Sequence, residues 1–322
     1  MKRREFVALI GSALAAPLSR AQQPAKIYRV GWLSIAPRPQ VAQLIAAFEE
    51  GLRGEGYEAG RNVAIEFAFA DNAIALLPDL ARELAAKKVD VIMCGSNPNI
   101  AAAQAATQTI PIVFAVGTNL VEAGIVKSLA RPGGNVTGIS WDVGPGVVAK
   151  RWEVLKEAVP TIRRVAVLYD PPYGTEFKKE DEASAAALGI DLIRQDITDD
   201  FARTFADLAR ARMDAVLLHA SGRLYGRRAE AVALATKHRM VSAAPQEESV
   251  AAGGFMSYGP NMPDQYRRAA GYVSRIFKGA IPANLPVQQP IKLDLVFNLK
   301  TAKTLGIAIP PSVLLRADRV IE

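Results

Sequence analysis

Chemistry that depends on cysteine or histidine has little to work with in this chain. Its 322 residues include one cysteine, Cys94, and two histidines, His219 and His238. A single cysteine excludes an intramolecular disulfide, and within Val89–Cys94 it reads as a small buried hydrophobe. No His/Cys pair has metal-ligand spacing. There is no Gly-x-Ser-x-Gly elbow, no P-loop and no Gly-x-Gly-x-x-Gly turn, so the usual hydrolase, nucleotide and dinucleotide signatures are missing and no cofactor is expected. Past residue 21 no apolar run approaches the ~18 residues of a membrane span. Nor is charge a strong signal. Of the formal +7, the first 21 residues carry +3, and the remaining +4 is spread evenly, which argues against a nucleic-acid partner.

What the chain does have starts at its N-terminus. Lys2-Arg3-Arg4 precedes the apolar stretch Val7–Leu18, and Ser19-Arg20-Ala21 follows with small residues. That order is an export signal cut after Ala21, its apolar part about a dozen residues long against the ~20 of a spanning helix. Arg3-Arg4-Glu5-Phe6 fits the twin-arginine route as well as general secretion. No cysteine stands at the cut site to carry a lipid, so the expected location is the periplasm, unanchored.

Beyond the leader, short β-rich runs alternate with amphipathic ones. Strands are expected at 29–34, 63–69, 90–94, 110–115, 136–140, 164–169, 191–194, 214–219 and 254–257. Helices are expected at 40–53, 73–87, 98–106, 121–130, 147–158, 176–188, 200–210 and 223–238. This alternation predicts an α/β fold of doubly wound parallel sheets covered on both faces. A faint echo between Lys88–Ser96 and Arg212–Ser221 hints at two similar lobes facing each other.

In open α/β sheets ligands sit at the C-terminal ends of strands. Those ends supply the candidate binding residues Ser34, Ser96, Asn97, Asn119, Asp170, Tyr173, Ser221 and Tyr258. Ser96-Asn97-Pro98 either caps the following helix or leaves free N–H groups for a carboxylate. Asp170 can accept a ligand ammonium or serve a turn with Pro171, and Tyr173 can stack on a ring. Trp32 and Trp141 read either as core or as aromatic walls, and His219 either as a cleft residue or a structural one.

Several segments resemble the periplasmic substrate-binding proteins of ABC transporters, tryptophan/tyrosine type. They are Arg3–Phe6, Ile110–Phe114, Ser128–Gly138 (SLARPGGNVTG), Leu155–Pro160, Gly253–Asn261 (GGFMSYGPN), Asn298–Gly306 and the tail from Ile309 to Glu322. The resemblance implies a type I periplasmic-binding-protein fold. Its two lobes would be 27–141 plus 259–286 and 142–258 plus 287–322, joined by a three-segment hinge. It implies no catalysis, a small-molecule ligand held by hinge closure, a monomer, and an inner-membrane ABC permease as partner. The alternative is an exported ligand-sensing module that signals to a membrane receptor. Relatives often carry Gly-Thr-Pro at 96–98 and Asp-Pro at 119–120. Neutral Asn119 in place of that aspartate points to aromatic or other carboxylate ligands without an ammonium.

Overall fold

The computed structural model describes residues 26–170 and 178–322. The first half winds β1 (Tyr28–Ser34), α1 (Arg38–Gly54), β2 (Val63–Phe69), α2 (Leu77–Ala86), β3 (Val91–Cys94), α3 (Asn97–Ala106), β4 (Ile112–Phe114) and β5 (Val136–Gly138). These strands form one parallel sheet in the order β2-β1-β3-β4-β5. The strands β3, β4 and β5 are buried throughout, as helix-covered parallel strands require, whereas the edge strand β2 is mostly half-buried.

The chain then crosses to α4 (Pro145–Ala158), β6 (Arg164–Tyr169), α5 (Lys178–Ala187), β7 (Asp191–Asp196) and α6 (Phe201–Arg210). It continues through β8 (Ala215–Leu218), α7 (Gly222–Gly226), α8 (Arg228–Lys237), β9 (Val241–Ala244), α9 (Glu247–Ala251) and β10 (Met256–Pro260). It returns to the first half as α10 (Met262–Phe277), where Ala270 and Tyr272 join the core under α1. It crosses once more to β11 (Leu293–Asn298), α11 (Leu299–Leu305), α12 (Pro311–Leu314) and β12 (Arg319–Ile321). The second sheet runs β12-β11-β10-β9-β8-β6-β7. The three crossings lie side by side: Ile139 bridges Gln288 in parallel, Gly259 pairs with Asp294, and Gln265 Nε2 donates to the Ser140 carbonyl at 3.0 Å.

Three expectations need correction. Residues 121–130 form turns rather than a helix, because Val121–Gly124 are exposed and Asn119 sits at φ +50°. The helix expected over 223–238 breaks between Gly226 and Arg228. The second sheet is not wholly parallel. β10 and β11 are antiparallel because the chain between them visits the first half and re-enters from that side.

Candidate functional site

A cavity lies where the C-terminal edges of the two sheets face each other. Its space is about 960 Å³ with the open solvent at its mouth included. The first half contributes Ser34–Ala36 after β1, Gly95–Asn99 after β3, and Val116 and Thr118 after β4. The second half contributes Asp170 after β6, Ala220–Arg223 and Tyr225 around α7, and Gln246 after β9. Trp141 and Met262, beside the crossings, close the floor with Tyr266 and Trp32.

Most of the expected polar groups reach this cavity, and most are already engaged. The Ser34 hydroxyl donates to the Ala36 carbonyl at 2.8 Å. Ser96 holds the N-cap position of α3, yet its hydroxyl turns to Asn99 Oδ1 instead of a helix N–H. Asn97 uses both ends of its amide on one backbone unit. Its Nδ2 donates to the Thr118 carbonyl at 2.8 Å, and its Oδ1 accepts from the Thr118 N–H at 3.0 Å. Ser221 caps α7, its Oγ accepting from the Leu224 N–H at 2.9 Å. Pro98 has no N–H, so Asn97 and Asn99 supply the first donors of α3.

Asp170 and Arg223 are the charged residues among those lining the cavity, and they face each other. Arg223 Nη2 and Nε both donate to Asp170 Oδ1, at 2.7 and 3.0 Å. Arg223 Nη1 reaches the exposed Asp199 at 3.1 Å. Among the described residues that line the cavity, one carboxylate thus stands against one guanidinium.

Two expected residues do not line the cavity, and one lies outside the described residues. Asn119 is exposed on a left-handed turn, its backbone N–H donating to Asp142 Oδ1 at 2.9 Å. Tyr258 alternates to the other face of β10 and packs against the core that includes Trp152 and Phe297, while its carbonyl accepts from Arg151 Nε at 2.8 Å. Tyr173 falls within residues 171–177, outside the described residues. His219 is structural: it lies 3.8 Å from Asp181 inside the second core, and burial pushes its pKa down to about 3.

The aromatic lining was only half legible. Trp32 and Trp141 are both core and cavity wall, each about 2 % exposed. Trp32 stacks on Tyr266 at 5.4 Å. Tyr266 comes from α10, one turn after Met262, so an i, i+4 pair on that helix faces the cavity. Its hydroxyl lies against the Cα of Gly95, where any side chain would collide with it. Burial keeps the Tyr225 and Tyr266 phenols protonated by pushing both pKa values up. Arg223, Tyr225, Gln246 and Tyr266 were not anticipated. Applying the strand-end rule after β9 finds Gln246, whereas nothing local marks a helix residue such as Tyr266.

Across the mouth the halves touch at the α7–α8 corner. Arg228 Nη2 donates to the Gln40 carbonyl at 3.3 Å while its guanidinium lies 4.3 Å over the Tyr225 ring. Gly226 packs so close to Asn72 that an added Cβ would stand 2.8 Å from Asn72 Oδ1. Among the described residues no group of three or more His, Cys, Asp and Glu side chains could hold a metal ion.

Comparison with known proteins fits this geometry. A tyrosine-binding protein of Clostridioides difficile is 23% identical over 282 residues, covering 86% of this chain and 80% of that protein. A crystal structure of a conserved domain protein from Vibrio cholerae superposes with a TM-score of 0.84 at 29% identity, covering 92% of this chain and 100% of the other. An ABC domain from Streptococcus pneumoniae in complex with L-Trp gives the same TM-score at 25% identity, with the same coverage. The type I periplasmic binding fold with its two lobes is therefore the fold of this chain. Residues 30–321 match the model of the ABC transporter substrate binding protein family, and the chain belongs to that family.

Proposed function

We propose that this protein is the exported solute receptor of an ABC importer and that it closes around an aromatic amino acid. The observation that carries the reading is the composition of the cavity: a floor of Trp32, Trp141 and Tyr266 beneath one facing ion pair, Asp170 with Arg223. A site that sets one carboxylate against one guanidinium matches a zwitterion better than an anion. With Asn119 outside the cavity, the partner for an ammonium is Asp170, not residue 119. The ligand carboxylate goes to the start of α3, where the N–H groups of Asn97 and Asn99 and the helix dipole favour negative charge. The ring lies over the indoles. Closure follows because a ligand touching both halves binds the closed arrangement better than the open one. The L-Trp held by the Streptococcus structure supports the same class.

Calorimetry tests this directly. Tryptophan or tyrosine is expected to bind at least about tenfold more tightly than its deaminated acid, in keeping with one lost charge-assisted contact. Asp170→Asn is expected to erase that preference. Tight binding of deaminated acids with no response to the amino acids overturns the zwitterion assignment. Uptake of labelled ligand in cells lacking the gene separates an importer receptor from a sensing module.

A further inference from the structure

The polar side chains around the cavity fall into two sets. Ser34, Ser96, Asn97 and Ser221 spend their hydrogen bonds on the protein, and Asp170 spends one oxygen on Arg223. The second set makes no hydrogen bond among the described residues: the Gln246 carboxamide, the hydroxyls of Thr118, Tyr225 and Tyr266, and the Trp32 indole N–H. Gln246 is 7% exposed and Tyr266 4%, so the space open to them is the cavity they line. Water reaches them through the cavity, and a ligand that displaces it without replacing its hydrogen bonds loses affinity.

Three members of this set share one neighbourhood. Tyr225, Gln246 and Tyr266 line the same cavity, Tyr266 stacked on Trp32 at 5.4 Å. Around them Trp32, Trp141 and Met262 offer apolar surface, and the Trp32 indole N–H is itself buried without a partner among the described residues. An aromatic ligand with a hydrogen-bonding atom on its rim satisfies both the apolar wall and the bare amide. A plain phenyl ring satisfies only the wall.

We infer that Gln246, with Tyr225 and Tyr266 beside it, is a specificity group that reads a hydrogen-bonding atom on the ligand ring and selects phenols and indoles over phenyl rings. The inference rests on the cavity being a site for an aromatic ligand. A carboxamide suits the task because it donates and accepts, and so accommodates a phenol O–H or an indole N–H. The protonated tyrosine hydroxyls have the same double capacity.

The test uses two matched pairs, L-tyrosine with L-phenylalanine and 4-hydroxyphenylacetate with phenylacetate, titrated by calorimetry into the wild type, Gln246→Leu and Tyr225→Phe. The hydroxylated member of at least one pair is expected to bind about tenfold or more tightly in the wild type, because a site built for a hydroxyl is left unpaired by its analogue. In Gln246→Leu the ratio is expected to fall below about threefold, the loss of roughly one hydrogen bond. Tyr225→Phe, which keeps the ring volume, is expected to narrow it less and serves if the first variant does not fold. Equal binding of both members in the wild type overturns the inference and leaves the aromatic reading standing. A ratio unchanged in both variants overturns the assignment to these residues. Failure of all four probes and of L-tryptophan to bind overturns the aromatic reading, and the inference with it.

Discussion

The two halves of the molecule share a winding but not an interior. Around the first sheet the buried polar groups are neutral, such as Ser34, Asn99, Thr137 and Ser140. Around the second, Arg151, Asp170, Asp181, His219, Glu248 and Asp294 are all buried. Asp181 accepts from Trp152 Nε1 and from the Tyr169 hydroxyl, both at 2.8 Å. Neither carboxylate oxygen of Glu248 has a hydrogen-bond partner among the described residues. Similar architecture therefore coexists with very different electrostatics. Among the described residues, the interior of the first half holds only neutral buried polar groups, whereas the second holds charges removed from water.

Three perturbations sharpen that contrast. The largest effect is expected from Asp181→Ala, which strands two buried donors and should cost about 3–5 kcal/mol in urea unfolding. Its counterpart in the first half, Thr137→Val, loses one hydrogen bond to the Leu285 carbonyl and should cost only about 1 kcal/mol. Equal losses would remove the distinction between the interiors.

The second perturbation is pH. Burial pushes the Glu248 carboxyl up to about 7 from 4.5, with Glu247 and Asp294 adding repulsion and Arg228 opposing them. A raised folded pKa favours the protonated form, so this stability is complete below pH 4.5 and is lost as pH rises through about 7. Glu248→Gln should hold its unfolding midpoint between pH 5 and 8.5 where the wild type declines, a gap of ~1–3 kcal/mol at the alkaline end. Parallel pH profiles for the two proteins would sink this account. His219 works in the opposite direction. Its depressed pKa gives stability that is complete above pH 6.5 and falls away toward about pH 3.

The smallest effect concerns the seam between the halves. Gly226→Val pushes side-chain atoms against Asn72 without entering the cavity, and should weaken ligand binding by about tenfold through faster release. Stopped-flow release rates check this, and an unchanged off-rate would mean the α7–α8 corner plays no part in holding the closed form.

Much of the scaffold was legible because hydrophobic period and strand length carry it. Val63–Phe69 and Arg164–Tyr169 appear as strands with the expected bounds. The strands β9, β11 and β12 were not expected, and the direction of β11 was not legible either, since periodicity is the same whichever way a strand runs. In the site, the strand-end rule located Ser34, Ser96, Asn97, Asp170 and Ser221 at the cavity. It could not reveal how they are used. Nothing in the local sequence says that Asn97 spends its amide on Thr118, more than twenty residues away, or that Asp170 is met by Arg223. Tyr266 stayed hidden for the same reason: it enters from a helix that joins the first half only after the second has been built.

The double bond from Asn97 to the Thr118 backbone bears on the order of events during capture. It ties the loop after β4 to the start of α3, so the first wall of the cavity is set before any ligand arrives. A ligand landing there has little to organise, and the entropy of ordering that wall has already been spent in folding. In the proposed closure the second wall then comes to a ligand that is already oriented. Arrival is timed by diffusion to a finished surface, and residence by the motion that follows.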